Sequence, residues 1–390
     1  MPNVNLANAR RAKNDEFYTQ YNDIQKEIEA YLDYSPDVFR HKVVYCNCDD
    51  PFESNFFRYF VLNFNKLGLK QLITTSYKPS PVANTQLALF GNDKTLTKSK
   101  GRPKVTANKF IINEVHDIDG DGEFNLKDIA KQLRENKHNE WTPLEGDGDF
   151  RSDECINLLR QSDIVITNPP FSLFREYVKQ LFDYNKKFVI IANMNAITYK
   201  EIFPLIKANR LWLGATGNGS DMVFAVPNGV DIAESDRQKA ARLGYVGNYT
   251  RLGNSCWFTN LDHGRRHKSL PLMTQADIIK FSTKKPFEKY DNYNAIEVSF
   301  VKNIPGDYDG VMGVPISFLD KYNPDQFEII GNGQTMANEL GIRPVGQKFV
   351  DDYYAQGNKG SINAKWNNLV YHIGEKVYVP YQRILIKHKK

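Results

Sequence analysis

Ser162-Asp-Ile-Val-Ile-Thr-Asn-Pro-Pro-Phe171 joins an apolar strand directly to a doubled proline. The run Ile164-Val-Ile166 is short, β-branched and uninterrupted, the signature of a strand buried on both faces. Two consecutive prolines remove two N–H donors and fix two φ angles, so neither a ladder nor an ordinary helix continues through them. The chain is forced into a rigid turn at the carboxyl end of the strand, which is where open α/β sheets bind ligands. In that turn the Asn168 side chain and the Pro169 carbonyl are expected to face outward as hydrogen-bond acceptors, with the Phe171 ring beside them.

Working outward, the same alternation recurs on both sides. Upstream, Ile24, Ile28, Tyr31 and Leu32 give Asp23–Tyr34 a helical spacing. Lys42-Val-Val-Tyr-Cys46 reads as a buried strand that ends in the turn residues Asn47, Asp49, Asp50 and Pro51. Phe52–Leu67 is helical again, Gly68 stops it, and Leu72–Ser76 is a second strand, so the chain opens as β-α-β. Residues 78–106 are rich in Pro, Asn, Lys, Thr and Gly without a period and read as an exposed, mobile insertion. Structure resumes over 109–133. Downstream of the prolines, Leu173–Phe182 is a helix and Phe188–Ala192 a buried strand. Beyond residue 228 comes a helical piece, Asp231–Leu243, then short strand-like pieces separated by Gly, Asn and Pro. The expected fold class is α/β, a Rossmann-like, mostly parallel sheet in a core domain (1–228) followed by a second, mixed α/β domain (229–390).

Composition narrows the class. The chain has 390 residues, 51 Lys+Arg against 46 Asp+Glu, and 41% hydrophobic residues, which is globular rather than disordered. No run of about 18 apolar residues is present to span a membrane. The segment Met1–Lys26 is polar and lacks the apolar core of a signal peptide, which points to the cytoplasm. Four cysteines, Cys46, Cys48, Cys155 and Cys256, are too few for a disulfide framework, and the Cys46/Cys48 spacing does not match a zinc pair, so all read as reduced thiols. The net charge of +5 is compatible with a polyanionic partner.

Two acceptors beside an aromatic plate suit the exocyclic amine of a flat ring. The amine of adenine is a poor nucleophile because its lone pair is delocalised. Accepting both N–H protons draws the nitrogen toward tetrahedral geometry, and stacking on Phe171 holds a base that has first left the duplex. A sulfonium methyl placed in line completes a direct transfer by positioning and electrostatics.

Further stretches extend this reading: Asp15-Glu-Phe-Tyr-Thr-Gln20, Tyr45-Cys-Asn-Cys-Asp-Asp-Pro-Phe52, Gly146-Asp-Gly-Asp-Phe-Arg-Ser152, Pro305–Pro315 and Phe318–Pro324. In this order, and together with Asn168-Pro-Pro-Phe171, they resemble the EcoRI-type adenine-specific DNA methyltransferases, in the γ arrangement of cofactor motifs, catalytic motif and recognition region. The resemblance implies a site-specific adenine-N6 methyltransferase acting from S-adenosylmethionine on double-stranded DNA, as a monomer, with a cognate restriction endonuclease as companion. By the same resemblance Asn168, Pro169, Pro170 and Phe171 are catalytic. Phe17, Tyr18 and Thr19 close over the methionine part of the cofactor, and Cys46, Asn47, Asp49, Asp50, Pro51 and Phe52 lie in the first strand-loop-helix motif. Asp149 and Phe150 meet the cofactor adenine, with Asn168 beside it. Asp50-Pro-Phe-Glu-Ser-Asn55 departs from the family pattern in lacking its glycines, and Thr75-Ser76-Tyr77 lacks the acid that usually binds the ribose. The rival readings are cytosine-N4 or protein-glutamine methylation, and a catalytically silent DNA-binding protein.

Four lesser signals complete the reading. Asp117, Asp119, Asp121, Glu123 and Asp128 fall in a segment (117–128) spaced like a calcium loop, as a structural clip. Gln86-Leu-Ala-Leu-Phe90 resembles a peptide that docks on the replication sliding clamp, and Lys100-Gly-Arg-Pro-Lys104 the core of an AT-hook. Gly214, Gly217 and Gly219 mimic a dinucleotide fingerprint but follow the catalytic strand, and read as a hairpin.

Overall fold

The structure is a computed structural model that describes residues 18–48, 54–77, 107–117, 128–129, 132, 138–216, 222–226, 232–252, 254–282 and 287–389. Two compact units divide the chain. One holds the described residues up to Met194 together with Leu213–His263; the other holds Asn195–Trp212 and the chain from Gly264 onward.

The first unit begins with a short strand β1 (Tyr18–Thr19), helix α1 (Tyr21–Tyr34), strand β2 (Val43–Cys46), helices α2 (Asn55–Leu62) and α3 (Phe64–Leu67), and strand β3 (Gln71–Thr75). It continues through β4 (Asn108–Ile112), β5 (Glu140–Pro143), α4 (Asp153–Gln161), β6 (Ile164–Thr167), α5 (Phe174–Asp183) and β7 (Lys187–Asn193). Every residue of β2 and β6 is buried, as are Phe188–Ala192 of β7. Strands with helices on both faces need such continuous apolar runs, which is why they were legible in the sequence. On α1 the positions Ile24, Ile28 and Tyr31 face the core at helical spacing. Helix α2, packed on α1, is apolar nearly all round, with Phe56, Phe57, Tyr59, Phe60 and Val61 buried. Ser54 caps it, its Oγ accepting from Phe56 N at 3.1 Å and Phe57 N at 3.2 Å.

The single helix expected over 52–67 is broken at Asn63, whose Nδ2 donates to Tyr59 O at 2.9 Å. A side chain that bonds the preceding turn competes with the helical backbone there. Gly68 then ends α3 with φ +61°, the left-handed conformation glycine adopts freely.

The large sheet has the order β5-β4-β3-β2-β6-β7-β11-β8, with β8 (Trp212–Leu213) at an edge and β11 (Ser255–Thr259) beside β7. The central strands β3-β2-β6-β7 are mutually parallel, whereas β4 and β5 run antiparallel to their neighbours and β11 antiparallel to β7. The sheet is thus mixed, with a parallel centre, rather than parallel to its edges. The chain leaves β2 for β3 on one side and returns to β6 on the other, so the strand order reverses between β2 and β6. In open α/β sheets such a switch point, at the carboxyl ends of the strands, is where ligands bind.

A second small sheet pairs β1 with β9 (Val223–Ala225) and β9 with β10 (Tyr249–Arg251), all antiparallel. The compact units therefore do not divide at residue 228. Helix α7 (Glu234–Arg242), β10 and β11 all belong to the first unit. Ser255-Cys-Trp-Phe-Thr259 is wholly buried and pairs Trp257 with Ile191, a long-range contact that local composition does not reveal. The strands on either side of the Gly214–Gly219 stretch, β8 and β9, lie in different sheets and do not pair with each other. Gly214 instead allows close packing: a Cβ there would sit 2.3 Å from Glu27 Oε1 and 2.4 Å from Trp257 Cβ. The buried Glu27 carboxylate accepts from Ala215 N and Thr216 N, each at 2.8 Å, from Thr216 Oγ1 at 2.5 Å and from Tyr31 OH at 2.9 Å. Burial raises its pKa, against the opposing pull of these donors.

The second unit contains α6 (Phe203–Lys207), α8 (Gln275–Phe281), β12 (Ile296–Glu297), β13 (Met312–Pro315), β14 (Phe327–Asn332), α9 (Gly346–Ala355), the hairpin β15 (Tyr371–Ile373) and β16 (Lys376–Tyr378), and β17 (Arg383–His388). Its sheet has the order β12-β13-β17-β14, with Ile384, Leu385 and Ile386 of β17 at the centre of the core. Arg383 and Glu297 form a buried ion pair, Nη2 to Oε1 at 2.6 Å and Nε to Oε2 at 3.0 Å. Charge is uneven along the chain. The residues of the second unit carry 21 Lys and Arg against 14 Asp and Glu, a net of +7, while the remainder nets −2. No helix among the described residues is long and apolar enough to cross a membrane.

Candidate active site

The residues at the carboxyl ends of β2 and β6 are tied together. Thr167, the last residue of β6, donates its hydroxyl to Asn47 O, and Tyr177 on α5 donates its phenol to Asn47 Oδ1. Asn47 is only 2% exposed and Tyr177 is fully buried, so this network fixes Asn47, just after β2, against the helix that follows the prolines. Burial drives the Tyr177 hydroxyl well above its ordinary pKa, so it stays a donor. The Phe150 ring packs edge-on against Tyr177 at 4.9 Å and is itself buried. Gln180 Nε2 holds Phe150 O at 3.1 Å. The loop residue Asn47 is thus brought against the 150–180 region, about a hundred residues later in the chain.

The 146–152 segment is pinned from the other side by β3. A Cβ on Gly148, which has φ +78°, would lie 1.9 Å from Ser76 O. Only glycine fits where this loop crosses the end of β3. The next residue, Asp149, is paired with Arg151, Oδ2 to Nη2 at 2.6 Å and Oδ1 to Nε at 2.9 Å. The guanidinium holds the Asp149 carboxyl below its usual pKa and lies 5.3 Å from the Phe150 ring centroid. At the sheet's interior, Tyr45 OH and Thr75 Oγ1 are 3.0 Å apart. No disulfide joins any of the four cysteines; Cys46 is buried at the end of β2 and Cys48 has φ +63°.

Asn168 stands immediately after β6, 9% exposed, and Pro169 is buried. Pro170 and Phe171 are half-buried, and Phe171 packs on the main core. The turn closes with Leu173 N donating to Pro170 O at 2.9 Å and leads through a single 3₁₀ turn into α5. The first two residues of the motif are therefore buried at the end of β6 rather than presented on the surface. Tyr18 and Thr19 come close to the same region because β1 is pinned by β9 and Asn55 Nδ2 donates to Thr19 O at 2.8 Å. Thr19 Oγ1 is buried and has no hydrogen-bond partner among the described residues.

Phe17 and Asp49, Asp50, Pro51 and Phe52 lie outside the described residues, as do Gln86–Phe90, Lys100–Lys104, Gly217 and Gly219. The same holds for Asp119, Asp121 and Glu123 of the acidic loop; Asp117 is exposed and Asp128 buried. Among the described residues no three His, Cys, Asp or Glu side chains gather as a metal site. Sequence reading missed Tyr177, Thr167 and Ser76. A tyrosine on an apolar helical face looks like ordinary core, and nothing local marks its hydroxyl as a tether.

The family of adenine-specific methyltransferases named for EcoRI matches residues 5–389. The type II methyltransferase M.EcoRI of Escherichia coli is 45% identical over 328 residues, covering 83% of this chain and 88% of its own. M.MpnI of Mycoplasma pneumoniae is 35% identical over 330 residues, 83% of each chain, and M.MgeORF184P of Mycoplasma genitalium is 34% identical over 323 residues, 83% of this chain and 84% of its own. No solved structure matches the chain. With Asn47, Phe150 and Thr167 joined through Tyr177 and the Thr167 hydroxyl beside the switch point, and a family match that runs almost from end to end, this chain belongs to the EcoRI-type adenine-specific methyltransferase family.

Proposed function

We propose that this protein is a site-specific DNA methyltransferase that places a methyl group on the N6 amine of adenine, with S-adenosylmethionine as donor. The observation that carries the reading is Asn168-Pro-Pro-Phe171 at the carboxyl end of β6, beside the switch point. The site also fits such a donor. Thr19 Oγ1 is a buried polar atom without a partner among the described residues, and the close crossing at Gly148 sets the Asp149-Phe150 loop beside the ends of β2 and β3. Tyr18 and Thr19 would hold the amino-acid part with Phe17, Cys46 and Asn47 with Asp49–Phe52 the loop side, and Asp149 and Phe150 the adenosine. When bound, the donor supplies a methyl group on a positively charged sulfur.

The chain's own part is positioning. Asn168 Oδ1 and Pro169 O accept the two amine protons of an adenine turned out of the duplex, and Phe171 stacks on its ring. Holding both protons localises the nitrogen lone pair. After transfer, the same oxygens stabilise the positive nitrogen until one proton leaves to solvent. The net charge of +7 in the second unit suits contacts to phosphates, and that unit is proposed to select the DNA sequence. A site-specific mark of this kind fits pairing with an endonuclease of the same specificity.

The test is transfer of a labelled methyl group to duplex DNA, with the modified base identified after hydrolysis. Wild type yields N6-methyladenine, and Asn168→Ala binds DNA but loses about 100-fold or more in rate, as loss of a transition-state hydrogen bond does. Equal transfer by both proteins refutes the role of Asn168. Methylcytosine or methylglutamine as the product refutes the adenine assignment.

A further inference from the structure

In the second unit a cleft of about 370 Å³ opens at one end of the four-stranded sheet. It is set by the C-terminal end of β14 and the N-terminal end of β17, antiparallel neighbours that pair Asn332 with Ile384. Its floor is close-packed. Gly333 donates its N–H to Arg383 O at 2.9 Å, and a Cβ on Gly333 would lie 2.6 Å from Leu369 Cδ1. Arg383 itself is neutralised by the buried Glu297, so the cleft presents neither a free carboxylate nor a free guanidinium. It presents three side-chain amides, Gln334, Asn368 and Gln382, none of which makes a side-chain hydrogen bond among the described residues, and the ring of Tyr381, which is 74% exposed.

That lining is specific in its chemistry. Each amide offers a carbonyl acceptor and an N–H₂ donor in one plane. A donor and acceptor side by side are what the N6/N7 edge of adenine pairs with, and Asn and Gln are the side chains that read it. An exposed tyrosine offers a stacking face that any base can use. The volume lies at the lower end of the range for small-ligand sites, and the surrounding unit carries the net positive charge that draws a nucleic acid or a nucleotide.

We propose that this cleft is a second nucleobase site, which holds an adenine edge on Gln334, Asn368 and Gln382 and stacks it on Tyr381. In its DNA form the inference rests on the function proposed above, and the base belongs to the recognised sequence rather than being the one methylated. A free adenine nucleotide is the other source of the same chemistry.

The test uses the full chain and an Asn368→Ala/Gln382→Ala variant, with Tyr381→Ala as a second. Because these side chains make no hydrogen bonds among the described residues, the variants fold, which far-UV circular dichroism checks. Methylation rates are measured on duplexes in which each base pair of the recognised site is replaced in turn, and adenosine binding is measured by calorimetry. If the base comes from DNA, the amide variant loses between about 5-fold and about 100-fold of discrimination at one A·T position, the KM for the methyl donor is unchanged, and Tyr381→Ala weakens duplex binding. If it comes from a free nucleotide, wild type binds adenosine and the variants do not, while discrimination stays intact. Unchanged discrimination together with unchanged or absent adenosine binding overturns the inference. A wild type that methylates nothing sinks the function proposed above, and the adenosine arm then decides the cleft by itself.

Discussion

Tyr177→Phe removes one oxygen and nothing else. The ring, fully buried and packed edge-on to Phe150 at 4.9 Å, keeps its place, so no cavity opens. What is lost is the donor to Asn47 Oδ1, on a residue 2% exposed. A buried acceptor left without a donor costs about 1–3 kcal/mol, and the lower half of that range applies because the deleted hydroxyl no longer has to be desolvated. At about 1.4 kcal/mol per tenfold, the folding equilibrium of the first unit shifts by roughly 5-fold to 20-fold for about 1–1.8 kcal/mol. The assay is urea unfolding followed by tryptophan fluorescence, to which Trp257, buried in the first unit, contributes. The same change releases the Asn47 side chain, so affinity for the methyl donor falls as well. In a cycle with Asn47→Ala the two losses are strongly non-additive, since both remove one contact. A Tyr177→Phe protein whose stability moves by less than about 0.5 kcal/mol and whose donor affinity is unchanged would refute the tethering role, because shifts that small are the norm for substitutions away from such contacts.

Three further outcomes are expected. Gly148→Ala places a methyl 1.9 Å from Ser76 O in a left-handed conformation, so overpacking of about 1–3 kcal/mol and backbone strain of about 1 kcal/mol combine; a lowered melting temperature with weakened donor binding checks it, and wild-type behaviour would mean that the crossing at β3 is not tight. Arg383→Met alone costs the second unit about 3–5 kcal/mol by stranding Glu297, whereas Arg383→Met with Glu297→Leu recovers most of the loss; urea unfolding of the single and double variants measures both. Asp149 has its pKa lowered by Arg151, so its stabilising contribution is present above the unfolded value of 3.8 and is lost as pH falls through the lower folded value. Between pH 5 and pH 3, wild type should lose more stability than Asp149→Asn, and parallel profiles would contradict that pairing.

The buried centre of the first unit was written in the sequence. Val43–Cys46, Ile164–Thr167 and Phe188–Ala192 are short, β-branched and uninterrupted, and each forms a parallel strand whose neighbours bury both faces. The doubled proline fixed the turn after β6, because two φ angles and two missing donors are local facts. Ser255–Thr259 carries an equally apolar pattern, yet its place beside β7 depends on pairing with residues more than 60 positions earlier, which no local signal specifies. The antiparallel flanks of the sheet and the boundary of the second unit follow from the same non-local pairing.

The site divides along similar lines. Residue types near Asn47, Phe150 and Asn168 named the chemistry, since amide acceptors and aromatic rings are legible one residue at a time. That these three stretches meet, that Tyr177 and Thr167 lock them, and that Gly148 must be glycine because Ser76 O passes beside it were decided by the strand order reversing between β2 and β6. Hydrogen-bond geometry between distant segments is set by how the sheet assembles. The sequence determines which groups are available, and only the packed fold determines which of them touch.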